Sequence, residues 1–184
     1  LLISFPVVFV FFRKEITFPK VISVQLFRSF FLFLSTVFFF YAISVISLAE
    51  ALTLAFVSPI FVTILSIFFL KEKVGFHRWA AVIIGFCGVI IIIRPGFIEF
   101  NFASFAAIGA GVSYAFYMIY TRKLSFTDNA FVTLLFTGVV GCIFISLVVP
   151  FFWTNLDLKQ LLLLILLASI GTLGHFLICL LYTS

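Results

Sequence analysis

The sequence predicts an all-α integral membrane protein, a multi-helix bundle with six full transmembrane helices and one partial helix. Two observations lead to this class. The 184 residues are 65% hydrophobic and only 9% charged, with a mean hydropathy of +1.41, whereas globular domains are about 45–50% apolar and about 25% charged. The charged residues also separate uncharged runs whose lengths approach the roughly 20 residues that a helix needs to cross a bilayer. The short connections between these runs leave no room for a soluble domain.

The predicted helices follow from these runs in chain order. Residues 1–12 are apolar but too few to span, so they are predicted to be half a helix rather than a signal peptide. The short run at 79–93 is expected to extend back over 74–76. Short connections predict that neighbouring helices are antiparallel. The six full helices are predicted at 29–49, 51–70, 79–93, 100–121, 129–156 and 160–184.

The helix predicted at 51–70 carries a proline near its middle. Pro59 has no N–H, so it cannot pair with the carbonyl of Ala55 four residues earlier. In lipid an unpaired carbonyl costs several kcal/mol unless protein, water or a ligand satisfies it. Two explanations stay open. The freed carbonyl and the hydroxyl of Ser58 line a solute pathway, or the proline provides a kink for helix packing.

The Lys and Arg residues are distributed unevenly between alternate loops. Nine of the eleven lie in the loops 13–28, 71–78 and 122–127, and two lie in the opposite loops. Because cytoplasmic loops of membrane proteins carry an excess of Lys and Arg, these three loops are predicted to be cytoplasmic. The net charge of +5 has the same origin and does not indicate a nucleic-acid partner.

Small residues recur at helical spacing in two of the predicted helices. The first set is Ala103, Ala107, Gly111 and Ala115, and the second is Ala81, Gly85 and Gly88. Such stripes allow helix backbones to approach closely inside a membrane. These stripes predict a compact bundle, and they do not indicate transport.

Two charged residues at the ends of predicted helices each have two interpretations. Ser47 and Glu50 fit a capping box at the start of a helix, and Glu50 also suits a proton- or cation-handling carboxylate at the mouth of a pathway. Arg28, just before the 29–49 helix, is expected to reach the cytoplasmic interface or to pair with an anionic substrate.

Other polar groups lie deeper in the predicted helices. His175 either bonds a neighbouring helix or handles a ligand or proton, and Tyr114 and Tyr117 are deep enough to line a cavity. Three cysteines in apolar runs predict neither a disulfide framework nor a metal site. No catalytic motif occurs in the sequence, so we expect neither an enzyme nor a cofactor.

A stretch of the chain resembles a known family. Residues 42–97 read AISVISLAEALTLAFVSPIFVTILSIFFLKEKVGFHRWAAVIIGFCGVIIIIRPGF, with an acidic residue after SLA, a mid-helix SP and a basic loop before a glycine-bearing helix. They resemble the end of an EamA domain of the drug/metabolite transporter superfamily. The stretches FASFAAIGAGVSYAFYMIYTRKLS and GTLGHFLI resemble helices of a second EamA repeat.

The resemblance implies two inverted five-helix repeats. On that template residues 1–97 are the last four helices of the first repeat, the first of them partial, and residues 98–178 are the first three helices of the second repeat. Helices 1, 9 and 10 are then missing. Residues 179–184, CLLYTS, are interpreted as a sequencing-adaptor artefact.

The resemblance also implies a function. We expect a secondary transporter that moves a small organic metabolite, such as an amino acid-like solute, across the bacterial inner membrane by alternating access. The alternatives are an uptake carrier for S-adenosylmethionine or a nucleotide-like solute, and a non-catalytic subunit of a membrane complex. Coupling to a proton or cation, homodimer formation and the direction of transport stay open. The predicted substrate-pathway residues are Arg28, Glu50, Ser58, Pro59, Tyr114, Tyr117 and His175.

Overall fold

The structure is a computed structural model, and it describes residues 19–93, 101–151 and 157–183. These residues form seven α-helices and one short 3₁₀ helix, with no strand among them, which confirms the predicted all-α class. The predicted half-helix at 1–12 lies outside the described residues. The helices are α1 Ile22–Val45, α2 Leu48–Ala55, α3 Ser58–Leu70, α4 Phe76–Ile93, α5 Phe102–Leu124, α6 Ala130–Val148, the 3₁₀ helix Val149–Phe151, and α7 Leu158–Thr183.

The described helices have the length and composition of membrane spans. Three stretches are long and apolar enough to cross a membrane, namely Ile22–Val45, Leu48–Leu70 and Phe102–Leu124. Shorter apolar helices occupy Phe76–Ile91, Val132–Val148 and Leu158–Gly174. Each overlaps one predicted full span. Large apolar side chains such as Phe68 and Ile84 are exposed, as contact with lipid requires, and the chain is a multi-pass membrane protein.

The chain divides into two compact units. One comprises Leu1–Phe30 and Tyr120–Ser184, and the other comprises Phe31–Ile119. In the first unit α6 contacts α7, and in the second α4 contacts both α2 and α3. Helices α1 and α5 each contribute residues to both units.

Small residues form the core of the second unit. Ala42, Ala51 and Ala107 are buried together with Leu54, and side chains as small as alanine let helix backbones come close. The predicted stripe on α5 lies in the interior, since all four of its members are buried. The Ser35 hydroxyl donates to the carbonyl of Ala110 on α5 at 2.9 Å. The stripe on α4 differs, because a Cβ added at Gly85 or Gly88 would meet nothing within 4 Å.

Two predicted helix boundaries were wrong. Helix α1 begins at Ile22 rather than at 29, so residues 22–28 are helical and not part of a loop. The prediction failed because Arg28, which was taken to mark the start of the helix, is buried within it. The span at 51–70 is not one kinked helix but two helices separated at 56–57. Helix α4 begins at Phe76, so of the predicted extension over 74–76 only the last residue is helical.

Candidate functional site

Helix α2 ends and helix α3 begins around the proline. Pro59 lies in the first turn of α3, where the missing N–H is not needed for the helix. The Phe56 N–H is shared between the carbonyls of Leu52 and Thr53, at 3.0 and 3.3 Å, and the Val57 N–H donates to Leu54 at 3.3 Å. The chain therefore accommodates the proline by ending one helix with a tight turn and starting another.

The carbonyl that Pro59 cannot satisfy lies against α5. A Cβ built on Gly111 would be 2.6 Å from the Ala55 oxygen and 2.9 Å from Cγ1 of Val57. So close an approach is possible only because residue 111 has no side chain, and it brings the oxygen within reach of a Cα–H···O contact. The packing explanation of the proline requires a protein neighbour at this carbonyl, and Gly111 is such a neighbour. Lining of a solute pathway by Pro59 stays a prediction.

The first two residues of α3 differ in exposure. Ser58 is half-buried and Pro59 is exposed. The Thr63 hydroxyl donates to the Pro59 carbonyl at 2.8 Å, so the first turn of α3 carries a side-chain hydrogen bond to its backbone. No side chain caps the N-terminus of α3 at Val57.

The capping box predicted at the start of α2 is present. The Glu50 N–H donates to the Ser47 hydroxyl at 3.3 Å, and the Ser47 N–H donates to the Glu50 carboxylate at 3.0 Å. This geometry gives the half-buried carboxylate a structural role at a helix terminus. A second role of Glu50 at the mouth of a pathway is compatible with it and stays a prediction.

The two predicted tyrosines form a pair on α5. The ring centroids of Tyr114 and Tyr117 are 5.4 Å apart. Tyr117 is fully buried and Tyr114 is half-buried. Both belong to the second unit, together with Glu50, Ser58 and Pro59.

Arg28 lies in the first unit and joins three helices. Its side chain is 0% exposed. The guanidinium Nε donates to the Thr121 hydroxyl of α5 at 2.7 Å, and Nη1 donates to the Thr133 carbonyl of α6 at 3.3 Å and to the Thr137 hydroxyl. Burial of a cation in a membrane bundle is costly and requires such partners. Arg28 is therefore held among the helices, and its placement at the cytoplasmic interface and its pairing with an anionic substrate both stay predictions.

A second buried polar group lies one turn before Arg28. Gln25 is 0% exposed, and its amide nitrogen donates to Asp128 at 2.9 Å and to the Thr133 hydroxyl at 3.2 Å. Asp128 also accepts the backbone N–H of Lys20 at 3.0 Å. The amide oxygen Oε1 of Gln25 is buried without a hydrogen-bond partner among the described residues.

These residues form one hydrogen-bonded group that we call the polar cluster: Gln25, Arg28, Thr121, Asp128, Thr133 and Thr137. Sequence reasoning found only Arg28. Gln25 could have been found by its spacing, because residues three apart share a helix face once the helix is known to begin before them. The hydrogen bonds of the cluster fix the positions of its donors and acceptors. The described residues contain no group of three or more His, Cys, Asp or Glu side chains that could hold a metal ion.

The family model for the EamA-like transporter family matches residues 1–94, just over half of the chain. The chain belongs to the EamA-like transporter family. The match includes Arg28, Glu50, Ser58 and Pro59. This confirms the resemblance read from the sequence.

Several curated proteins are similar to this family member. The S-adenosylmethionine uptake transporter of Rickettsia bellii is 28% identical over 155 residues, which are 84% of this chain and 53% of that protein. The riboflavin transporter of Vibrio cholerae is 41% identical over 80 residues, 44% of this chain and 27% of that protein. Solute carrier family 35 member G1 of Mus musculus is 31% identical over 115 residues, 55% of this chain and 31% of that protein.

The chain spans about half the length of its rickettsial relatives and less of the other two. No solved structure matches it. The relatives are named as transporters or as a solute carrier and not as enzymes, which agrees with the absence of a catalytic motif in the sequence.

The last predicted site residue of this EamA-like chain is His175. It lies on α7, but its side chain is outside the described part of the structure. Arg28 and His175 belong to one unit and the other five predicted residues to the other. Their roles in a substrate pathway all stay predictions.

Proposed function

We propose that this chain is part of a secondary transporter that moves a small organic solute across the bacterial inner membrane by alternating access. The observation that carries the proposal is the match of residues 1–94 to the EamA-like transporter family. The names of the relatives support it, because they describe solute transport in each case.

The break between α2 and α3 suits this function. Transporters with inverted repeats bind solutes near the middle of the membrane, where discontinuous helices offer backbone groups. Here the end of α2 at Ala55 and the start of α3 at Ser58 lie within one otherwise apolar span. The N-terminus of α3 carries partial positive charge from the helix dipole and has no side-chain cap. In this proposal Ser58 and the start of α3 contact a polar group of the solute, and Glu50 lies towards the mouth of the pathway.

In this proposal the polar cluster holds helices together and does not bind the solute. Its groups join α1 to the end of α5 and the beginning of α6. Alternating access requires helices to change their packing, and buried hydrogen bonds hold one arrangement until they are exchanged for others. We assign Arg28 to holding these helices rather than to direct contact with the solute.

The first substrates to test are amino acid-like solutes, with S-adenosylmethionine among them. The relatives whose names specify S-adenosylmethionine uptake align over 81–84% of this chain. The riboflavin transporter has a higher sequence identity but aligns over only 44% of this chain, so riboflavin is the second candidate. No observation favours the alternative of a non-transporting membrane subunit.

The test is transport by bacterial cells that express the full-length gene. Radiolabelled S-adenosylmethionine, riboflavin and a panel of amino acids are measured for uptake and for efflux from preloaded cells, normalised to the amount of protein in the membrane. We expect at least one solute to move several-fold faster than in cells with an empty vector. Absence of transport of every solute in both directions, with normal membrane abundance, would refute the proposal and favour the subunit.

A further inference from the structure

An apolar groove lies on the second unit, between α4 and the break that separates α2 from α3. Its volume is about 300 Å³, at the lower limit of ligand-binding clefts. One wall is formed by Ala81, Gly85 and Val89 of α4, and the other includes Phe56 and Pro59. Because Gly85 has no side chain and a Cβ there would meet nothing within 4 Å, the groove stays open along α4.

The groove has a defined length and a single charged end. Arg78 lies at the first turn of α4 and Val89 eleven residues further along, and both line the groove. At 1.5 Å per residue this is about 16 Å. A hydrocarbon core is about 30 Å thick, so the groove extends over about one leaflet.

The charged end is basic and lies close to the loop before α4. Lys71 and Lys73 in this loop are exposed, and Arg78 is 38% exposed. Its Nη1 lies 3.4 Å from the Glu72 carboxylate, longer than the roughly 2.7–2.9 Å of a strong charge-assisted hydrogen bond. Arg78 lines the groove, and residues 71–78 together carry three positive charges and one negative charge, so this segment attracts an anion. Trp79, the next residue, is of the type enriched at membrane interfaces.

We propose that this groove binds one anionic phospholipid from the adjacent leaflet. The phosphate lies beside Arg78 with Lys71 and Lys73 around it, and one acyl chain lies along Ala81 and Gly85 towards Pro59. The other lining residues are apolar, so a polar solute would lose its hydration without gaining hydrogen bonds. A molecule with an anionic head and an apolar chain of about this length satisfies both parts of the groove. The site shares no residue with the polar cluster, and the proposal does not depend on the transported solute.

Two substitutions test the two parts of the site. Arg78→Gln removes the charge and keeps a polar side chain, while Arg78→Lys retains a charge as a control. Gly85→Leu fills the groove with an apolar side chain. Its matched control is Gly88→Leu, which makes the same change less than one turn further along α4 at a residue outside the groove lining.

The measurement is native mass spectrometry of the purified full-length protein in detergent, with phosphatidylglycerol and phosphatidylcholine added at equal concentration. We expect one phosphatidylglycerol to be retained in preference to phosphatidylcholine. Arg78→Gln should reduce that preference about fivefold, the usual effect of one basic residue at a membrane surface, and Arg78→Lys should keep most of it. Gly85→Leu should abolish retention of both lipids, and Gly88→Leu should leave it unchanged.

Several results would overturn the proposal. Equal retention of the two lipids, or an unchanged preference in Arg78→Gln, would show that no anionic head is recognised. Retention by Gly85→Leu equal to that of Gly88→Leu would show that the acyl chain lies elsewhere. A photoreactive group at Ala81 that cross-links to protein and never to added lipid would show that a protein segment occupies the groove. If Gly85→Leu fails to fold, the arginine pair and the cross-link still decide the question.

Discussion

Gly111→Ala is the substitution whose effect the structure defines most sharply. The new methyl group would lie 2.6 Å from the Ala55 oxygen, 2.9 Å from Val57 Cγ1 and 3.2 Å from the Ala55 carbonyl carbon. Ordinary Cα–H···O contacts have C···O separations of about 3.3–3.6 Å. The carbonyl must therefore move away by about 0.7–1 Å. It cannot do so by a side-chain rotation, because it belongs to the backbone at the end of α2.

Two opposing terms set the magnitude. Alanine is favoured over glycine inside a helix by up to about 1 kcal/mol. Overpacking of a filled interior costs about 1–3 kcal/mol, and the upper part of that range applies because backbone has to shift. The net expectation for Gly111→Ala is a loss of about 1–2 kcal/mol in the free energy of unfolding.

The matched control is Gly88→Ala on α4. A Cβ at this residue would meet nothing within 4 Å, so only the helix-propensity term acts, and stability should be unchanged or raised by up to about 1 kcal/mol. Both variants and the parent chain are unfolded by heat and by denaturing detergent in the same micelles. We expect Gly111→Ala to be the least stable of the three. Equal stability of the two variants would refute the close packing of the Ala55 carbonyl against α5.

Three further predictions concern orientation, the polar cluster and transport. In a cysteine-free full-length protein, Phe97→Cys should react with an impermeant thiol reagent added outside intact cells and Lys73→Cys should not; the opposite pattern would reverse the predicted orientation. Thr137→Val removes an acceptor of Arg28 and should cost about 1–3 kcal/mol of unfolding free energy. Thr36→Val removes an exposed hydroxyl that bonds within its own helix and should change the unfolding free energy little. Equal losses in the two variants would contradict a stabilising role of the cluster. Pro59→Ala should lower the rate of solute uptake or efflux sharply at normal abundance of the protein in the membrane. Ser58→Ala should weaken the apparent affinity for the solute by about 0.5–1.5 kcal/mol. Normal transport in both variants would remove the α2–α3 break from the solute pathway.

Features that depend on near neighbours in the chain could be predicted from the sequence. The apolar runs place the helices because the bilayer requires about 20 apolar residues per span. The capping box at Ser47 and Glu50 was predicted correctly, since its hydrogen bonds join residues only three apart. A disruption near Pro59 was also visible, because a proline cannot continue the hydrogen-bonding pattern of a helix. It was predicted as a defect within one helix, whereas the structure has two helices separated at 56–57.

Features that depend on distant contacts could not be predicted in this way. Arg28 bonds Thr121, Thr133 and Thr137, which are 93 to 109 residues away. Without those partners a charged residue next to an apolar run is most simply placed at the interface, and the helix is then predicted to begin after it. The close approach of Gly111 to Ala55 is likewise invisible until two helices are known to be neighbours. A stripe of small residues indicates that some helix packs there, and it does not identify which one.

The polar cluster links the stability of the first unit to any rearrangement of its helices. Arg28 donates at once to α5 and α6, and Gln25 on the same face of α1 is bonded to Asp128 just before α6. If the start of α1 rotates or slides past either neighbour, these bonds break together, because one rigid guanidinium supplies several of them. Each buried group left unpaired costs about 1–3 kcal/mol, so intermediate positions are disfavoured relative to two arrangements that both satisfy the cluster. Among the described residues, the Oε1 of Gln25 has no hydrogen-bond partner, and a second arrangement that pairs this oxygen would gain free energy to offset the bonds that it breaks.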